Sequence, residues 1–487
     1  MYKKLILLIL FGAVVTTSCC ALAEDTVFET PPSEEIPAVE KKEVQDSKTQ
    51  LEIINQIQES IKVGKPIEFN GGPSPKTVEG SVEKNRVMSV EECIQLALLN
   101  NPTIQAAIAD KEIYKTKIGQ AWSAYFPTLN LGASYDRNKV IMGGLGTIPS
   151  YSMYNVPSVG FNQLVYDFGK TRSATNIAKK TFEASDQNLS ETVNSVIYNV
   201  KEAYYDLLYA VRQVQVYEDT VANYEAHLEQ AKNYYLIGTK AKIDVITAEY
   251  NLGNAKLSLI KAKHEIDASY AKLNNAMGVP EYANYSVDES FETPQYNFEF
   301  DKLIEKAYET RPELLAAQKK AEASNILIKA SKFAFMPDLR LYGSYVLGGQ
   351  TMGNTTGYQL GGALQYGATN IWLLKKQVDE AKATYKRDSA QYEEAKQAVY
   401  LEVKSAFINF NNAKESIPVA KLALLNAKEQ HDLASGRYKT GLGDAIELKD
   451  AETTYLSAQL QYFNTLLSYN VALANLEKVI GTSVMRN

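Results

Sequence analysis

Two stretches of this chain, each about 200 residues long, are diverged copies of one another. Pro102 in the first copy returns as Pro312 in the second, 210 positions later, whereas Gly238 returns as Gly441, only 203 positions later. We expect the seven missing residues in the Gly-rich stretch between two strand-like runs, because surface loops tolerate deletions. The first copy should therefore have the longer loop. Similarity at this spacing indicates two fused structural halves rather than a solenoid of short repeats.

The N-terminus predicts export from the cytoplasm. Residues 1–23 have the features of a signal peptide, with two lysines, an apolar run and then Ala-Leu-Ala as the cleavage site. Cys19 and Cys20 leave a second interpretation open, which is lipidation by the lipoprotein route. Cleavage after residue 23 would leave Cys93 as the only cysteine, for which we expect a buried apolar position rather than a reactive thiol.

Net charge argues against nucleic-acid binding, and hydropathy argues against a transmembrane helix beyond the signal peptide. The net charge is −6 with both signs well mixed, so no basic patch is available for nucleic acid. Beyond the signal peptide no stretch approaches the roughly 18 apolar residues of a transmembrane helix, and a membrane role would have to use β-strands. Residues 24–86 are rich in charge, Pro and Gly and predict a flexible N-terminal arm, and 483–487 form a C-terminal tail.

Two runs of the chain predict very long helices. Residues 170–237 contain neither proline nor glycine, and 373–440 contain one of each. Apolar residues in both runs alternate steps of four and three, which is coiled-coil spacing. Each run is followed by a Gly-containing turn and a returning helical pattern. The sequence therefore predicts one helical hairpin over 170–277 and another over 373–480.

Four shorter runs alternate apolar and polar residues with a period of two, which predicts half-exposed strands. Runs of about ten residues are also what a tilted transmembrane strand requires. Four strands cannot close a sheet in lipid without unpaired edges, so a membrane interpretation requires an oligomer. Two soluble hairpins capping a coiled coil fit the periodicity almost as well. The predicted strands are 126–136, 157–167, 337–348 and 358–367.

With two strands and a long helical hairpin occurring twice after a secretion signal, the chain resembles the TolC-like outer-membrane efflux protein family, the outer membrane factors. The resemblance runs from about Val87 to Thr482. It rests on the opening SVEECIQLALLNNPTI from Ser89, its counterpart FDKLIEKAYETRPEL, the YFP and FMP strand starts and the two Y-x-x-G hairpin tips. It divides the chain into a first repeat, 87–285, and a second repeat, 286–482.

The resemblance implies a mainly α fold with a small antiparallel β part and an internal two-fold structural repeat. Three copies would form a trimeric α/β barrel. Its four transmembrane strands per protomer would give a twelve-stranded β-barrel in outer-membrane lipid, continued by a long periplasmic helical barrel.

The function that the resemblance implies is a passive, non-enzymatic exit duct with porin-like activity, in a tripartite efflux or type I secretion system. A periplasmic adaptor (membrane fusion) protein and an inner-membrane pump of RND, ABC or MFS type would deliver the substrate. The chain has no nucleotide-binding loop, so the energy would come from the pump. The alternative is a secreted coiled-coil structural or adhesion protein without a pore.

The resemblance also implies a gate. In the family, two acidic residues on the returning helix of the second hairpin narrow the closed entrance, and they match Glu447 and Asp450. The i, i+3 spacing puts both on one helix face, and six carboxylates converging in a trimer would repel one another. A local alternative is that Asp444 is an N-cap residue and Glu447 its capping-box partner.

The hairpin tips are the candidate contact with the adaptor. The family closes its entrance with a tip arginine that bonds an aspartate of the first hairpin. Asp244 matches that aspartate, but Gly443 stands in the arginine's place, which leaves the presence of a latch open. Lys240 and Lys439 are candidates for replacing the missing charge. The predicted tip residues are Tyr235, Gly238, Asp244, Tyr438, Gly441 and Gly443.

Nothing in the sequence predicts an active site. His227, His264 and His431 lack a second ligand at metal-binding spacing, so we expect surface or pore-lining positions for them. No Ser-His-Asp or Gly-x-Ser-x-Gly arrangement is present. We therefore predict no enzymatic activity, no metal and no cofactor.

Overall fold

The computed structural model describes most of the chain beyond the predicted arm. The predicted signal peptide, residues 24–85, Cys19, Cys20 and the tail 483–487 lie outside the described residues. The chain divides into two units, residues 1–68 with 486–487 and residues 69–485, and every described residue belongs to the second. The described residues are 86–138, 151–279, 285–288, 291, 296–349, 355–367 and 370–481.

The described part of the chain is mainly helical with a small antiparallel sheet, which confirms the predicted fold class at this level. The elements follow in nearly the same order in the two halves. In chain order they are β1 (Arg86–Met88), α1 (Val90–Asn100), α2 (Pro102–Trp122), β2 (Thr128–Asn138), β3 (Tyr151–Tyr166), α3 (Lys170–Leu236), α4 (Lys242–Met277), β4 (Tyr285–Val287), α5 (Phe300–Thr310), α6 (Pro312–Phe333), β5 (Asp338–Gly349), β6 (Thr355–Gln365), α7 (Ile371–Lys439) and α8 (Ala445–Ile480).

The first helices begin where local chemistry predicts. The Ser89 hydroxyl accepts a hydrogen bond from the Glu92 amide (3.3 Å), and the Glu92 carboxylate accepts one from the Ser89 amide (3.1 Å), which is a complete capping box. Asn101 caps α2 through the Thr103 amide (2.8 Å), and its side-chain amide donates to the Ala276 carbonyl (2.8 Å). Asn101 therefore fixes the start of α2 to the end of α4.

The four long strands form one antiparallel sheet in the order β2-β3-β5-β6. The central pairing, β3 with β5, joins the two halves of the chain and aligns Val159 with Tyr345 and Phe161 with Gly343. A Cβ at residue 343 would overlap the Phe161 ring, so the glycine makes room for the aromatic side chain of its cross-strand partner. The first strand pair is separated by residues 139–150 and the second by 350–354, so the first interval is the longer, as predicted.

One face of this sheet is apolar and exposed. Leu131 on β2 is 81 % exposed and Tyr358 on β6 is 86 % exposed, and apolar residues of β3 and β5 continue the same pattern. β2 and β6 are the outer strands, and each has one edge without a strand partner in the part of the chain that the structure describes. The sheet thus leaves both apolar surface and backbone hydrogen-bonding groups uncovered.

The two helical hairpins correspond closely in register. α3 has 67 residues and α7 has 69, and each would extend over about 100 Å at the usual rise of an α-helix. α3 ends 203 positions before α7, and α4 begins and ends 203 positions before α8. Pro418 lies inside α7 without ending it.

The two hairpins carry separate cores at corresponding positions. In the first hairpin Val200 and Leu273 are fully buried, and Val403 and Leu476 are buried 203 positions later in the second. Cys93 lies fully buried in the first core, as predicted, and burial raises the pKa of its thiol to about 12. Among the described residues no helix is both long and apolar enough to cross a membrane.

Substitution of Gly278, at the end of α4, tests how tightly the end of α4 packs against the start of α2. Its φ is +69°, and a Cβ there would lie 2.8 Å from the Asn100 carbonyl oxygen. We expect Gly278→Ala to destabilise the protein by about 2 kcal/mol or more. Gly253→Ala, inside α4 with no atom within 4 Å of the new Cβ, should instead stabilise it by about 0.5–1 kcal/mol. Thermal unfolding followed by circular dichroism checks both, and equal midpoints for the two variants would contradict the packing argument.

Candidate functional site

The candidate site is the tip region where each long helix turns back. Gly238 and Gly441 follow α3 and α7 with φ of +77° and +74°, the left-handed conformation that glycine adopts without strain. Gly443 is held differently. A Cβ at residue 443 would lie 2.8 Å from the Tyr438 nitrogen, so this turn has no room for a side chain at that position.

Tyr234 connects the two tips. Its hydroxyl donates toward the Lys439 carbonyl oxygen at 3.1 Å and lies 3.4 Å from the Tyr438 carbonyl oxygen. These carbonyls belong to the last turn of α7, where no amide four residues later continues the helix, and that of Tyr438 also accepts from the Gly441 amide at 3.1 Å. The Gln230 side-chain amide donates to the Tyr234 hydroxyl (2.9 Å) and thereby orients it. The end of α3 is therefore hydrogen-bonded to the end of α7.

Tyr438 lies beneath this contact. Its ring is buried, 6.0 Å from the ring of Tyr234 between centroids, and the ammonium of Lys240 lies 5.9 Å from its centre. Burial raises the pKa of the Tyr438 phenol, and the carboxylate of Asp244 adds to the shift. Of the tip residues that the sequence predicts, Asp244 and Tyr438 are thus brought together across the two hairpins.

Two further contacts join α3 to α8. His227 Nε2 lies 3.0 Å from Glu452 Oε1, and Glu452 is 8 % exposed. Glu452 Oε1 is buried and has no hydrogen-bond partner among the described residues. Further from the tip, Lys201 Nζ lies 2.5 Å from Glu477 Oε2, and both side chains are largely buried. Polar pairs therefore hold the two hairpins together along their length.

The predicted gate residues lie in the first two turns of α8. Glu447 and Asp450 are both exposed, and Glu447 Oε1 lies 3.0 Å from Nη1 of Arg437 on α7. Asp444 occupies the N-cap position but makes no capping hydrogen bond through its side chain. The capping-box interpretation of Asp444 and Glu447 is therefore wrong, because the guanidinium of Arg437 is the better partner for the Glu447 carboxylate.

The remaining tip residues divide into capping and surface roles. Asp244 Oδ2 accepts a hydrogen bond from the Ala241 amide (3.3 Å) at the start of α4. Tyr235 is half exposed, and its apolar neighbours on both tips project into solvent. These exposed residues are Leu236, Ile237, Leu442 and Ile446.

The histidines differ in part from expectation. His264 is exposed, as predicted, whereas the side chains of His227 and His431 are mostly covered. His431 stacks on the ring of Tyr455 and lines a cavity of about 230 Å³ between α3, α7 and α8, together with Glu452. No group of three metal-ligating side chains comes together anywhere in the described ranges.

Sequence reasoning missed Tyr234, Arg437 and Glu452. All three act across helices, and none belongs to a local motif. The internal repeat could have pointed to two of these residues. Tyr234 and Arg437 are 203 positions apart and occupy the same place in the two hairpins.

A family model described as "Outer membrane efflux protein" matches residues 93–279 and 303–482 of this chain. Among curated proteins, the chain is 24 % identical over 433 residues to the outer membrane protein TolC of Escherichia coli K12, covering 83 % of this chain and 85 % of the relative. It is also 24 % identical over 407 residues to the outer membrane protein TolC of Vibrio cholerae, covering 81 % and 91 %.

Solved structures show the same fold. The Campylobacter jejuni CmeC outer membrane channel superposes with a TM-score of 0.72 at 18 % identity, covering 81 % of this chain and 86 % of that one. The open state of the Neisseria gonorrhoeae MtrE outer membrane channel superposes with a TM-score of 0.68 at 23 % identity, covering 86 % and 98 %.

The Tyr234 contact makes a testable prediction for the tips. Tyr234→Phe removes the hydroxyl that bonds the end of α7, which should cost about 1 kcal/mol locally and speed amide exchange at residues 437–445 roughly fivefold. Tyr235→Phe is the matched control, because its half-exposed phenol makes no hydrogen bond to the second hairpin in the described chain. Hydrogen exchange read by mass spectrometry compares them, and equal rates would show that the Tyr234 hydroxyl does not hold the tips.

Proposed function

The chain belongs to the outer membrane efflux protein family, and from this membership we propose that three copies form one continuous exit duct. The protein is an outer membrane channel that extends into the periplasm. In the proposed assembly, the internal two-fold repeat gives six similar helical hairpins around one axis. Twelve strands close a β-barrel in the lipid, and twelve helices continue the lumen below it.

The single observation that carries this proposal is the uncovered sheet. Within the described residues its outer strands β2 and β6 each have one edge without a strand partner, and its apolar face is exposed in the single chain. In hydrocarbon an unpaired backbone group costs several kcal/mol, so strands cross a bilayer only in closed barrels. Pairing β6 of one copy with β2 of the next satisfies both edges at once, and lipid then covers the apolar face.

The duct would be filled from the periplasmic side by partners. The exposed apolar residues at the hairpin tips, with Tyr235 among them, support docking of a periplasmic adaptor protein there. An inner-membrane pump of RND, ABC or MFS type would supply energy and select the substrate, in efflux or in type I secretion. The duct itself would carry out no chemical reaction.

Glu447 and Asp450 would gate the entrance in this assembly. Both are exposed near the start of α8, so three copies would bring six carboxylates toward the axis. Narrowing the entrance raises their mutual repulsion and attracts cations, and opening relieves the repulsion. Because Arg437 neutralises part of the charge of Glu447, we expect Asp450 to carry the larger share of the cation attraction.

Fractionation and channel recording test the proposed duct together. The protein should stay in the outer-membrane pellet after a carbonate wash, and the purified protein should insert into planar bilayers as discrete channels. A secreted coiled-coil structural or adhesion protein would wash off and conduct nothing. That result would contradict the proposed duct and favour a secreted coiled-coil protein without a pore.

Replacing the acidic pair tests the gate. Glu447→Ala with Asp450→Ala should raise single-channel conductance and weaken block by multivalent cations, because fewer carboxylates narrow the entrance and hold the blocking ion. Asp267→Ala is the control, since it removes an exposed carboxylate of α4 away from the tip and should leave the traces unchanged. Identical recordings from the two variants would show that Glu447 and Asp450 do not form the gate.

A further inference from the structure

The cavity between α3, α7 and α8 shares no lining residue with the predicted gate. Its volume is about 230 Å³. One turn of α3, including Tyr224, forms one wall, and α8 forms another with Glu452 and Tyr455. His431 of α7 completes the lining. Sites for drug-sized molecules occupy about 300–1,000 Å³, so a cavity of this size suits a smaller ligand.

Glu452 is the residue in this cavity that calls for a partner. It is 8 % exposed, and its Oε1 atom has no hydrogen-bond partner among the described residues. His227 Nε2 lies 3.0 Å from that oxygen, but a neutral imidazole brings no positive charge to it. No lysine or arginine is among the residues that line the cavity. A buried carboxylate without a hydrogen bond or a counter-charge is costly, so Glu452 favours a ligand that supplies both.

The rest of the lining has the same preference for a cation. Asp219 of α3, which is exposed, adds a second carboxylate. Burial raises the pKa of the Tyr224 phenol, and the carboxylate of Glu452 adds to the shift. Burial also raises the pKa of the Tyr455 phenol, with contributions from the carboxylates of Asp432 and Asp219. The faces of the two neutral rings attract cations in addition to the carboxylates.

The chemistry of the walls favours an organic cation over a metal ion. The described ranges bring no three metal-ligating side chains together, and a metal ion needs a shell of several such ligands. Leu456 and the two tyrosine rings give the cavity an apolar part beside its carboxylates. An alkylammonium ion matches both parts. Its nitrogen donates charge-assisted hydrogen bonds, and its hydrocarbon chain packs on the rings.

We propose that this cavity binds a small primary ammonium ion, which donates a hydrogen bond to the carboxylate of Glu452 and lies against the rings of Tyr224 and Tyr455. The cavity is built from a single copy, so the proposal does not require the trimer. Since α3 belongs to the first hairpin and α8 to the second, the bound cation links the two hairpins between the tip contact of Tyr234 and the buried pair of Lys201 with Glu477.

Titration calorimetry of the full chain in detergent tests the site with n-butylammonium chloride. We expect saturable binding of one ammonium per chain, with a dissociation constant of about 1 mM or tighter, as suits a ligand with so few atoms. Potassium chloride at the same ionic strength and n-butanol are the matched controls, since one lacks the hydrocarbon chain and the other lacks the charge. Equal binding of either control would overturn the proposal.

Substitutions locate the binding. Glu452→Gln keeps the size of the side chain and removes its charge, so the affinity for butylammonium should fall at least tenfold. Tyr455→Leu removes one ring and should weaken binding roughly threefold. Asp267→Asn, which changes an exposed carboxylate of α4, should leave the affinity unchanged. Unfolding midpoints measured without the amine establish that each variant is folded.

An unchanged affinity in Glu452→Gln would overturn the proposed site. If that variant does not fold, Tyr455→Leu decides in its place, and an affinity equal to that of the unchanged protein would again contradict the site.

Hydrogen exchange read by mass spectrometry provides a second measurement, which tests the link between the hairpins. A ligand that must leave before α3 and α8 separate slows their opening, by up to about tenfold at ten times the dissociation constant. We therefore expect butylammonium to slow exchange at residues 219–227 and 452–459 in the unchanged protein and not in Glu452→Gln. Equal slowing in both proteins would place the ammonium elsewhere and overturn the proposal, without bearing on the proposed duct.

Discussion

Backbone hydrogen bonding at the sheet edges is the constraint on which the rest of this molecule depends. A strand whose N–H and C=O groups face hydrocarbon has no water to satisfy them, so a four-stranded sheet in lipid is incomplete by itself. The chain leaves β2 and β6 as outer strands and exposes the apolar face between them. In the proposed trimer, assembly would therefore be part of the folding of this sheet, rather than a later step that joins finished proteins.

The helical hairpins satisfy a different requirement, since their backbone groups are paired internally and only side chains need partners. The described interface uses few strong contacts. Lys201 and Glu477 meet at 2.5 Å in the largely buried middle, and Tyr234 reaches the end of α7 at the tip. Removing one partner of the buried pair would leave an uncompensated charge, whereas the exposed tip contact costs little to break. Movement of the hairpins is therefore expected to begin at the tips.

Much of this arrangement could be predicted from the sequence, because hydrophobic periodicity and helix-ending residues are local signals. Neither proline nor glycine interrupts α3, and Gly238 and Gly441 mark the turns. Strand β3 begins at Tyr151, six residues before the predicted start, because apolar and polar residues alternate too weakly in the YSMYNV segment to predict a strand. The three-residue strands β1 and β4 pair in parallel but are too short to show any period. Glu447 was predicted as a gate residue, but its contact with Arg437 was missed because it crosses a turn, and the Asp444–Glu447 spacing also fits a capping box.

The pairing of β3 with β5 has a consequence for biogenesis. Val159 and Tyr345 are neighbours in the sheet but are separated by both helices of the first hairpin along the chain. During synthesis the first strand pair emerges long before its partners, and a contact between such distant residues closes slowly. The exported polypeptide must therefore cross the periplasm with an open, apolar sheet edge, a state prone to aggregation. The edge of β3 gains its β5 partner only once residue 349 has been delivered.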